Sequence, residues 1–297
     1  DEGTMTHTAT MHSIGMVVHH LRADAHRAAA EIARDLTAAG HDVWVDAEGH
    51  GGSSPLDPLY DVRPLAGADL VVSLGGDGTV LRAVHLLAGA EVPILGINSG
   101  RLGYLTQAEL SDANTVISRY LAGPETGMWS VEERMMIEVV VTTAASGASV
   151  HHVLNEVVVE KLHSGNTVDL RVDIDDIAFT SFATDGLIVA TPTGSTAYSL
   201  SARGPIVSPR HRAMLLTPVA PHMLFDRTVV LDPSERVDIT VAGDRPAALV
   251  ADGTVMCELQ HGDTVTCCPA DISARFVRLG DRPYHQILKA KFGLQDR

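Results

Sequence analysis

The sequence predicts an α/β domain built on a parallel sheet, followed by a β-rich domain of the all-β sandwich type. Between Ile14 and Leu121 strand-like and helix-like segments alternate, and strands separated by helices pair in parallel. Beyond Gly123 the pattern shifts to a period of two, as in Val168, Leu170, Val172 and Ile174 and again in Val237, Ile239 and Val241. The 297 residues, 45 % of them apolar, suffice for two units that each bury a core.

Taken in order, Ile14 to Val18 reads as a short buried strand. Leu21, Ala25, Ala28, Ile32 and Leu36 then recur at helical spacing up to Gly40, a C-terminal cap. Val43 to Val45 is the next strand, and the Gly-, Ser- and Pro-rich stretch Glu48 to Pro58 reads as a mobile loop. Asp69 to Leu74 is a buried strand that runs into Gly75-Gly76-Asp77-Gly78-Thr79 and a helix through Leu86. Pro93 to Ile97 is another buried strand, and Ser111 is placed to cap a helix reaching Leu121. From Val131 to Val277 most segments read as strands, with one helical interruption at Ser195 to Ala202, and Pro283 to Phe292 closes the chain as a short helix. The expected divisions are 11–125 for the α/β domain, 126–278 for the β-rich domain and 279–297 for a C-terminal helix packing back on the first. Asp1 to Thr4, ahead of Met5, read as a cloning remnant and are left out of the fold.

Composition narrows the function. The formal net charge is −15 and basic residues form no patch or run, which argues against nucleic acid or an anionic membrane as partner. Three lysines, Lys161, Lys289 and Lys291, stand against nineteen arginines. With no GxxxxGK[ST] and no V-A-I-K, neither a P-loop nor a protein-kinase strand is available, so phosphoryl transfer here needs other machinery. Cys257, Cys267 and Cys268 make neither a disulfide framework nor a CxxC pair, which fits a reducing cytoplasm. No apolar run is long enough to span a bilayer and no charged-then-apolar leader opens the sequence.

Three segments carry candidate chemistry. Gly75-Gly76-Asp77-Gly78-Thr79 follows a buried strand and opens a helix, where first-turn N–H groups point outward and glycines let a phosphate approach the backbone. A carboxylate among them repels phosphate, so Asp77 makes sense as a proton acceptor or as help in holding a cation. The plain alternative is a tight turn with a helix-capping aspartate. Asn155-Glu156 interrupts an apolar strand-like stretch with an amide and a carboxylate, which suit ribose hydroxyls or a carboxamide; a solvent-facing strand-edge pair is the plain alternative. Thr184-Asp185-Gly186 leads through a strand into Thr191-Pro192-Thr193-Gly194-Ser195-Thr196-Ala197-Tyr198, a turn into a helix whose N-terminus can bind polar groups. Tyr198, one turn in, can stack on a purine or, equally, be a core tyrosine of a capped helix.

GGDGT, the NExxxEK pattern from Asn155 to Lys161, and TDG followed by TPTGSTAYSLSARGP together resemble bacterial NAD kinases, from about Ile14 to the end of the sequence. The resemblance implies transfer of the terminal phosphoryl group of ATP, or of polyphosphate, to the 2′-hydroxyl of the adenosine ribose of NAD. It implies Asp77 as the base, with Gly78 near the substrate and Gly75, Gly76, Gly78, Thr79 and Arg101 towards the donor phosphates. Asn155 and Glu156 would contact the dinucleotide and its ribose, and Asp185 would hold the nicotinamide half. Thr193, Thr196, Ala197, Tyr198 and Ser201 would line the adenine and nicotinamide pockets. Tyr104 falls where the family usually has an aromatic residue beside the adenine, and Ala220 and His222 fall in a further pocket-lining stretch. Asp252-Gly253 is a turn the family shares, with no catalytic role assigned. Mg²⁺ would arrive with ATP, held mainly by phosphates and waters, with no dedicated protein metal site. A pocket at the junction of the two domains and a homodimer or homotetramer follow from the same resemblance. The family's first strand often ends in Asn, where this sequence has His19 and His20.

Other features take bland readings. His19-His20 and His151-His152 are adjacent pairs, which strands point to opposite faces, and HExxH is absent. Gly96 to Gly100 reads GINSG, so no esterase elbow occurs, and Asp173, Asp175 and Asp176 read as a solvated turn. Cys267-Cys268 is expected to end or edge a strand. The rival readings are a lipid kinase sharing GGDGT, which leaves TPTGSTAY unexplained, and a non-catalytic dinucleotide sensor, against which an intact Asp77 argues. Hydride transfer lacks the GxGxxG that it would need after a strand.

Overall fold

The computed structural model describes residues 10–47, 54–100, 103–280 and 283–294. They divide into two compact units, Asp1–Glu132 with Arg275–Arg297, and Glu133–Ala274. The divisions fall inside two long strands, Trp129–Thr143 and Thr264–Leu279, a few residues from the junctions expected at 125/126 and 278/279.

The first unit is a parallel sheet in the order Tyr60–Asp61, Asp42–Asp46, Ser13–Val18, Leu70–Gly75, Ile94–Asn98. Ala108–Glu109 pairs with the end of the last strand and Phe276 with its beginning. The chain proceeds outward from Ser13–Val18 in one direction, then crosses to Leu70–Gly75 on the other side. That reversal makes a switch point at the carboxyl ends of these two strands, where α/β sheets hold ligands. Leu70–Gly75 is buried throughout, as a strand covered on both faces must be. The helix after it, Asp77–Leu87, buries Val80, Ala83, Val84 and Leu87, one stripe at helical spacing.

Helix Ala23–Ala38 buries Ala25, Ala29, Ile32, Ala33 and Leu36. Leu21 lies ahead of it and is exposed, because the chain only enters helical geometry after Arg22. Gly40 sits just past the helix end at φ +88°, the left-handed cap conformation, and its N–H bonds to Thr37. Ser111 does not cap the helix Ala113–Leu121: it lies in a 3₁₀ turn, Leu110–Asp112, and Asp112 holds the cap position without a side-chain bond. Of the glycine-rich stretch, residues 48–53 lie outside the described residues; Asp57–Leu59 forms a 3₁₀ turn, with Leu56 buried. The C-terminal helix Tyr284–Phe292 belongs to this unit, with the Lys291 ammonium 5.2 Å from the Tyr104 ring centroid.

The second unit is antiparallel. One sheet runs Val229–Leu231, Met214–Val219, Gly186–Ala190, Glu156–Lys161, Ala247–Ala251, Thr254–Leu259. The other includes Ile177–Thr184, Val168–Ile174, Val237–Val241 and the first part of Thr264–Leu279, with Trp129–Thr143 and Gly147–Val153. Their inner faces share one core, in which Ile137, Leu170, Val172, Phe182 and Ile239 meet Val157, Leu187, Val189 and Leu249. Gly186–Ala190 is apolar on both faces because Ile188 and Ala190 pack on the outer side with Val158 and Leu215, under Ala202 and Val207. Cys267 and Cys268 lie within the strand Thr264–Leu279, neither at its end nor at an edge, and Cys267 faces the core fully buried. Asp175 and Asp176 make the left-handed turn of a hairpin, bonded to the Arg236 amide and guanidinium respectively.

Phe182 is 1 % exposed at the centre of the sandwich core. Phe182→Ala should destabilise the second unit by about 3–5 kcal/mol, read as a lower urea midpoint at constant slope. A loss below about 1 kcal/mol would mean that the two sheets do not pack around this ring as described.

Candidate active site

In the first unit the glycine-rich turn lies at the sheet's switch point. Gly76 is the cap residue and Asp77 the first residue of the helix. The Asp77 carboxylate is held by the loop that follows Ile94–Asn98: Oδ2 accepts the Tyr104 N–H at 2.8 Å and Oδ1 the Leu105 N–H at 3.0 Å. Gly103 makes this possible, since a Cβ there would fall 2.0 Å from Asp77 Oδ1. The loop is tied down further by the Gly103 N–H to Thr106 Oγ1 and by the Asn98 amide to the Gly100 carbonyl.

The three glycines of the turn differ. A Cβ on Gly75 would meet Thr79 Oγ1 at 2.1 Å, so that glycine serves packing, whereas Gly76 and Gly78 have no described residue within 4 Å of their Cβ positions. Gly78 is exposed and Thr79 buried. The N–H groups of Asp77 and Gly78, first in the helix, have no carbonyl one turn back to bond. His19 packs beside Gly75 and stacks on His20 with centroids 5.2 Å apart. Burial, with His20 and Arg22 nearby, lowers its proton affinity, so the imidazole is neutral at pH 7. Arg101 lies outside the described residues. Arg22, which sequence reading passed over, brings its guanidinium 3.1 Å from the Cβ position of Gly100 and pairs with Asp24 at 2.7 Å.

In the second unit the structure gathers Asn155, Glu156, Thr193 and Tyr198. Thr191 donates its N–H to the Asn155 carbonyl and its hydroxyl to the Leu154 carbonyl, 2.8 and 2.6 Å away. Gly194 comes so near that a Cβ would sit 2.1 Å from the Asn155 oxygen. Glu156 is 7 % exposed, and its Oε2 has no hydrogen-bond partner among the described residues. Burial first, and the Asp252 charge second, push its pKa up to about 7 against the pull of the Tyr198 N–H. Thr193 Oγ1 accepts a bond from Arg134, a buried guanidinium that sequence reading missed.

Lys161 pairs with Asp185 at 2.6 Å. The charges of Glu160, Asp185 and Lys161 all bear on the Tyr198 hydroxyl, whose pKa is raised mainly by burial. Tyr198 is 38 % exposed and so is not a core residue. The expected helix from Ser195 to Ala202 is instead a 3₁₀ turn, Gly194–Thr196, and one helical turn, Tyr198–Ser201, broken at Ala197. So short a segment has no helix dipole to offer, and its side chains and local amides must do any binding. Thr196 bonds back to the Thr193 carbonyl, while Ser201 and Ala220 are exposed, Ala220 at φ +46°. His222 is exposed too, and its N–H bonds to the Ala183 carbonyl. Sequence reading takes Asp252-Gly253 only as a turn; in the structure the Asp252 carboxylate caps the N–H groups of Leu154, Asn155 and Glu156. The Asp-Gly dipeptide signals a hairpin turn, but nothing local signals a partner 97 residues away.

What the first unit offers a substrate is a fixed carboxylate beside open amides, the equipment of a phosphotransferase that acts on a hydroxyl. The models of the ATP-NAD kinase N-terminal and C-terminal domains match residues 14–125 and 154–279. The chain belongs to the NAD kinase family. It is 35 % identical to the NAD kinase of Syntrophotalea carbinolica, over 92 % of this chain and 96 % of that one. With the NAD kinase of Heliobacterium modesticaldum it shares 41 % identity, over 80 % and 82 % of the two chains. Among solved structures, yeast NADH kinase complexed with NADH superposes with TM-score 0.82 at 25 % identity, covering 97 % of this chain and 89 % of that one. An NAD kinase from Archaeoglobus fulgidus in complex with ATP shares the fold, with TM-score 0.71 at 23 % identity, covering 97 % of this chain and all of that one.

Glu156 should leave a mark on stability. With its folded pKa raised from 4.5 to about 7, the folded chain keeps a proton that the unfolded chain gives up between those values. Stability is therefore fully present below pH 4.5 and falls as pH rises to about 7, by roughly 3 kcal/mol at most. Glu156→Gln should remove this slope in urea titrations at about pH 5 and pH 8. An unchanged slope would assign the effect to other groups.

Proposed function

We propose that this chain transfers the terminal phosphoryl group of ATP to the 2′-hydroxyl of the adenosine ribose of NAD, forming NADP. The observation that carries the reading is the Asp77 carboxylate, pinned by the Tyr104 and Leu105 amides at the start of the helix. Each oxygen spends one lone pair on an amide and keeps another for the acceptor hydroxyl, whose proton passes to Asp77 as the oxygen attacks phosphorus in line. The open amides at Gly76 to Gly78 face the charge that spreads over the phosphate oxygens. Family membership supports NAD as acceptor, with Asn155 and Glu156 on ribose hydroxyls, Asp185 towards the nicotinamide half, and Tyr104 and Tyr198 beside the rings.

Among the described residues no three His, Cys, Asp or Glu side chains converge as a cation site. We read Mg²⁺ as part of the substrate, bound to the phosphates of ATP and to water, as the family resemblance implies. Inorganic polyphosphate is the second donor to assay. No described helix is long and apolar enough to cross a membrane. The free thiols of Cys257, Cys267 and Cys268 suit a reducing compartment, and we place the enzyme in the cytoplasm, as a homodimer or homotetramer serving NADP biosynthesis.

Incubation with NAD, ATP and Mg²⁺ should yield NADP. Asp77→Asn keeps the size of the side chain and loses the base, so turnover should drop by about 10²–10⁴-fold while NAD still binds. Wild-type protein that binds NAD without forming NADP would make it a sensor. Gly103→Ala forces a methyl against the Asp77 carboxylate and should lower kcat at least roughly tenfold. An unaffected kcat would mean that the two amides do not set the position of the base.

A further inference from the structure

Three consecutive N–H groups, those of Leu154, Asn155 and Glu156, converge just where the chain enters the strand Glu156–Lys161. Such a nest ordinarily binds an anion. Here the anion is internal. Asp252 Oδ1 accepts from Asn155 at 2.7 Å and Glu156 at 3.1 Å, and Oδ2 from Leu154 at 2.8 Å. The Asp252 N–H returns a bond to the Glu156 carbonyl at 3.0 Å, which closes the clamp. On the other side the Asn155 carbonyl is gripped by the Thr191 N–H and by the close approach of Gly194.

The hairpin itself does not require a charge at this position. Asp252 and Gly253 take left-handed φ values of +44° and +80°, a two-residue turn that Asn-Gly forms at least as readily. The carboxylate is also unfavourable to its neighbour, since it faces the buried Glu156, whose Oε2 is unpartnered. A turn selected for stability alone would avoid that repulsion; a turn that must seat two side chains would accept it.

We propose that Asp252 is a positioning residue for the acceptor half of the site, holding Asn155 and Glu156 in their binding arrangement through the three amides. The inference rests on the reading of Asn155 and Glu156 as NAD contacts. The Asp252 carboxylate acts on the backbone that carries them. Its charge has a second effect, because with burial it favours the protonated form of Glu156, so that the unpartnered Oε2 can present a proton to a ligand oxygen.

Asp252→Asn in the full chain is the test, because Asn preserves the turn and removes the charge. One carboxylate oxygen becomes an NH₂ that cannot accept from the nest. KM for NAD should rise roughly tenfold while KM for ATP stays within about twofold. In the unliganded protein the Glu156 carboxyl, followed by ¹³C NMR, should titrate lower than in the wild type. A purely structural role would instead worsen both KM values together, which would overturn the proposal; so would two unchanged KM values or an unmoved Glu156 titration. The wild type supplies a check that survives misfolding of the variant: the amide protons of Leu154, Asn155 and Glu156 should lie downfield and exchange slowly, and ordinary values would refute the clamp. If the wild type makes no NADP the kinase reading falls, while the two NMR measurements still decide whether Asp252 holds Glu156.

Discussion

A carboxylate seated on adjacent backbone amides is the device on which each unit's candidate machinery depends. Asp77 is held by two such amides and Asp252 by three. A short acid side chain has little freedom once both oxygens are engaged, and an amide fixed in a folded loop cannot swing as a lysine or arginine can. The orientation of the acid is thereby inherited from the backbone rather than from another mobile side chain. For Asp77 this leaves lone pairs aimed outward. In Asp252 the carboxylate does the opposite work and shapes the backbone around it.

Both arrangements need the chain to come closer than a side chain allows, which accounts for the placement of glycine. Gly103 lets its loop reach Asp77, and Gly194 lets the Thr-Pro-Thr turn reach the Asn155 carbonyl. Within the glycine-rich turn the duties divide. Gly75 is committed to Thr79, so replacing it would disturb the helix start; a Cβ on Gly76 or Gly78 would meet no described residue, which leaves the first amides approachable. A single motif therefore contains one glycine for packing and two for access.

The architecture was legible because periodicity reports burial. The Val80, Ala83, Val84, Leu87 stripe and the alternating Val168, Leu170, Val172 encode which face turns inward, and each is visible within a dozen residues. The GGDGT turn was legible for the same reason, being wholly local. What escaped was set by contacts far apart in sequence. Tyr104 and Leu105 grip Asp77 from 27 and 28 residues away, and Asp252 reaches Leu154 across 98. Ser195 to Ala202 has the composition of a capped helix, yet the bonds of Ser195 to Pro192 and Val207 and of Gly204 to Ser199 fold it into separate turns. Ser111 failed as a cap because the chain spends that position on a 3₁₀ turn, which local propensity does not distinguish from a helix start.

A protein of net charge −15 that handles polyanionic nucleotides poses an electrostatic problem with a local answer. At physiological salt, charges separated by more than about 8 Å are largely screened, so most of the surface acids do not oppose a phosphate at the switch point. Near Asp77, Arg22 and Lys291 lie against the loop that holds it, and the backbone amides add groups that carry no titratable charge. First-turn amides present fixed positive ends of dipoles and need no lysine, which fits a chain holding only Lys161, Lys289 and Lys291. In the proposed reaction, the cation accompanying ATP would supply the remaining compensation. A lysine beside Asp77 would compete with the acceptor hydroxyl for the carboxylate lone pairs, whereas the two amides take one each and leave the others for the proton. In the proposed mechanism the scarcity of lysine and the use of backbone amides answer one requirement: Asp77 must stay available to the acceptor hydroxyl while a phosphate lies nearby.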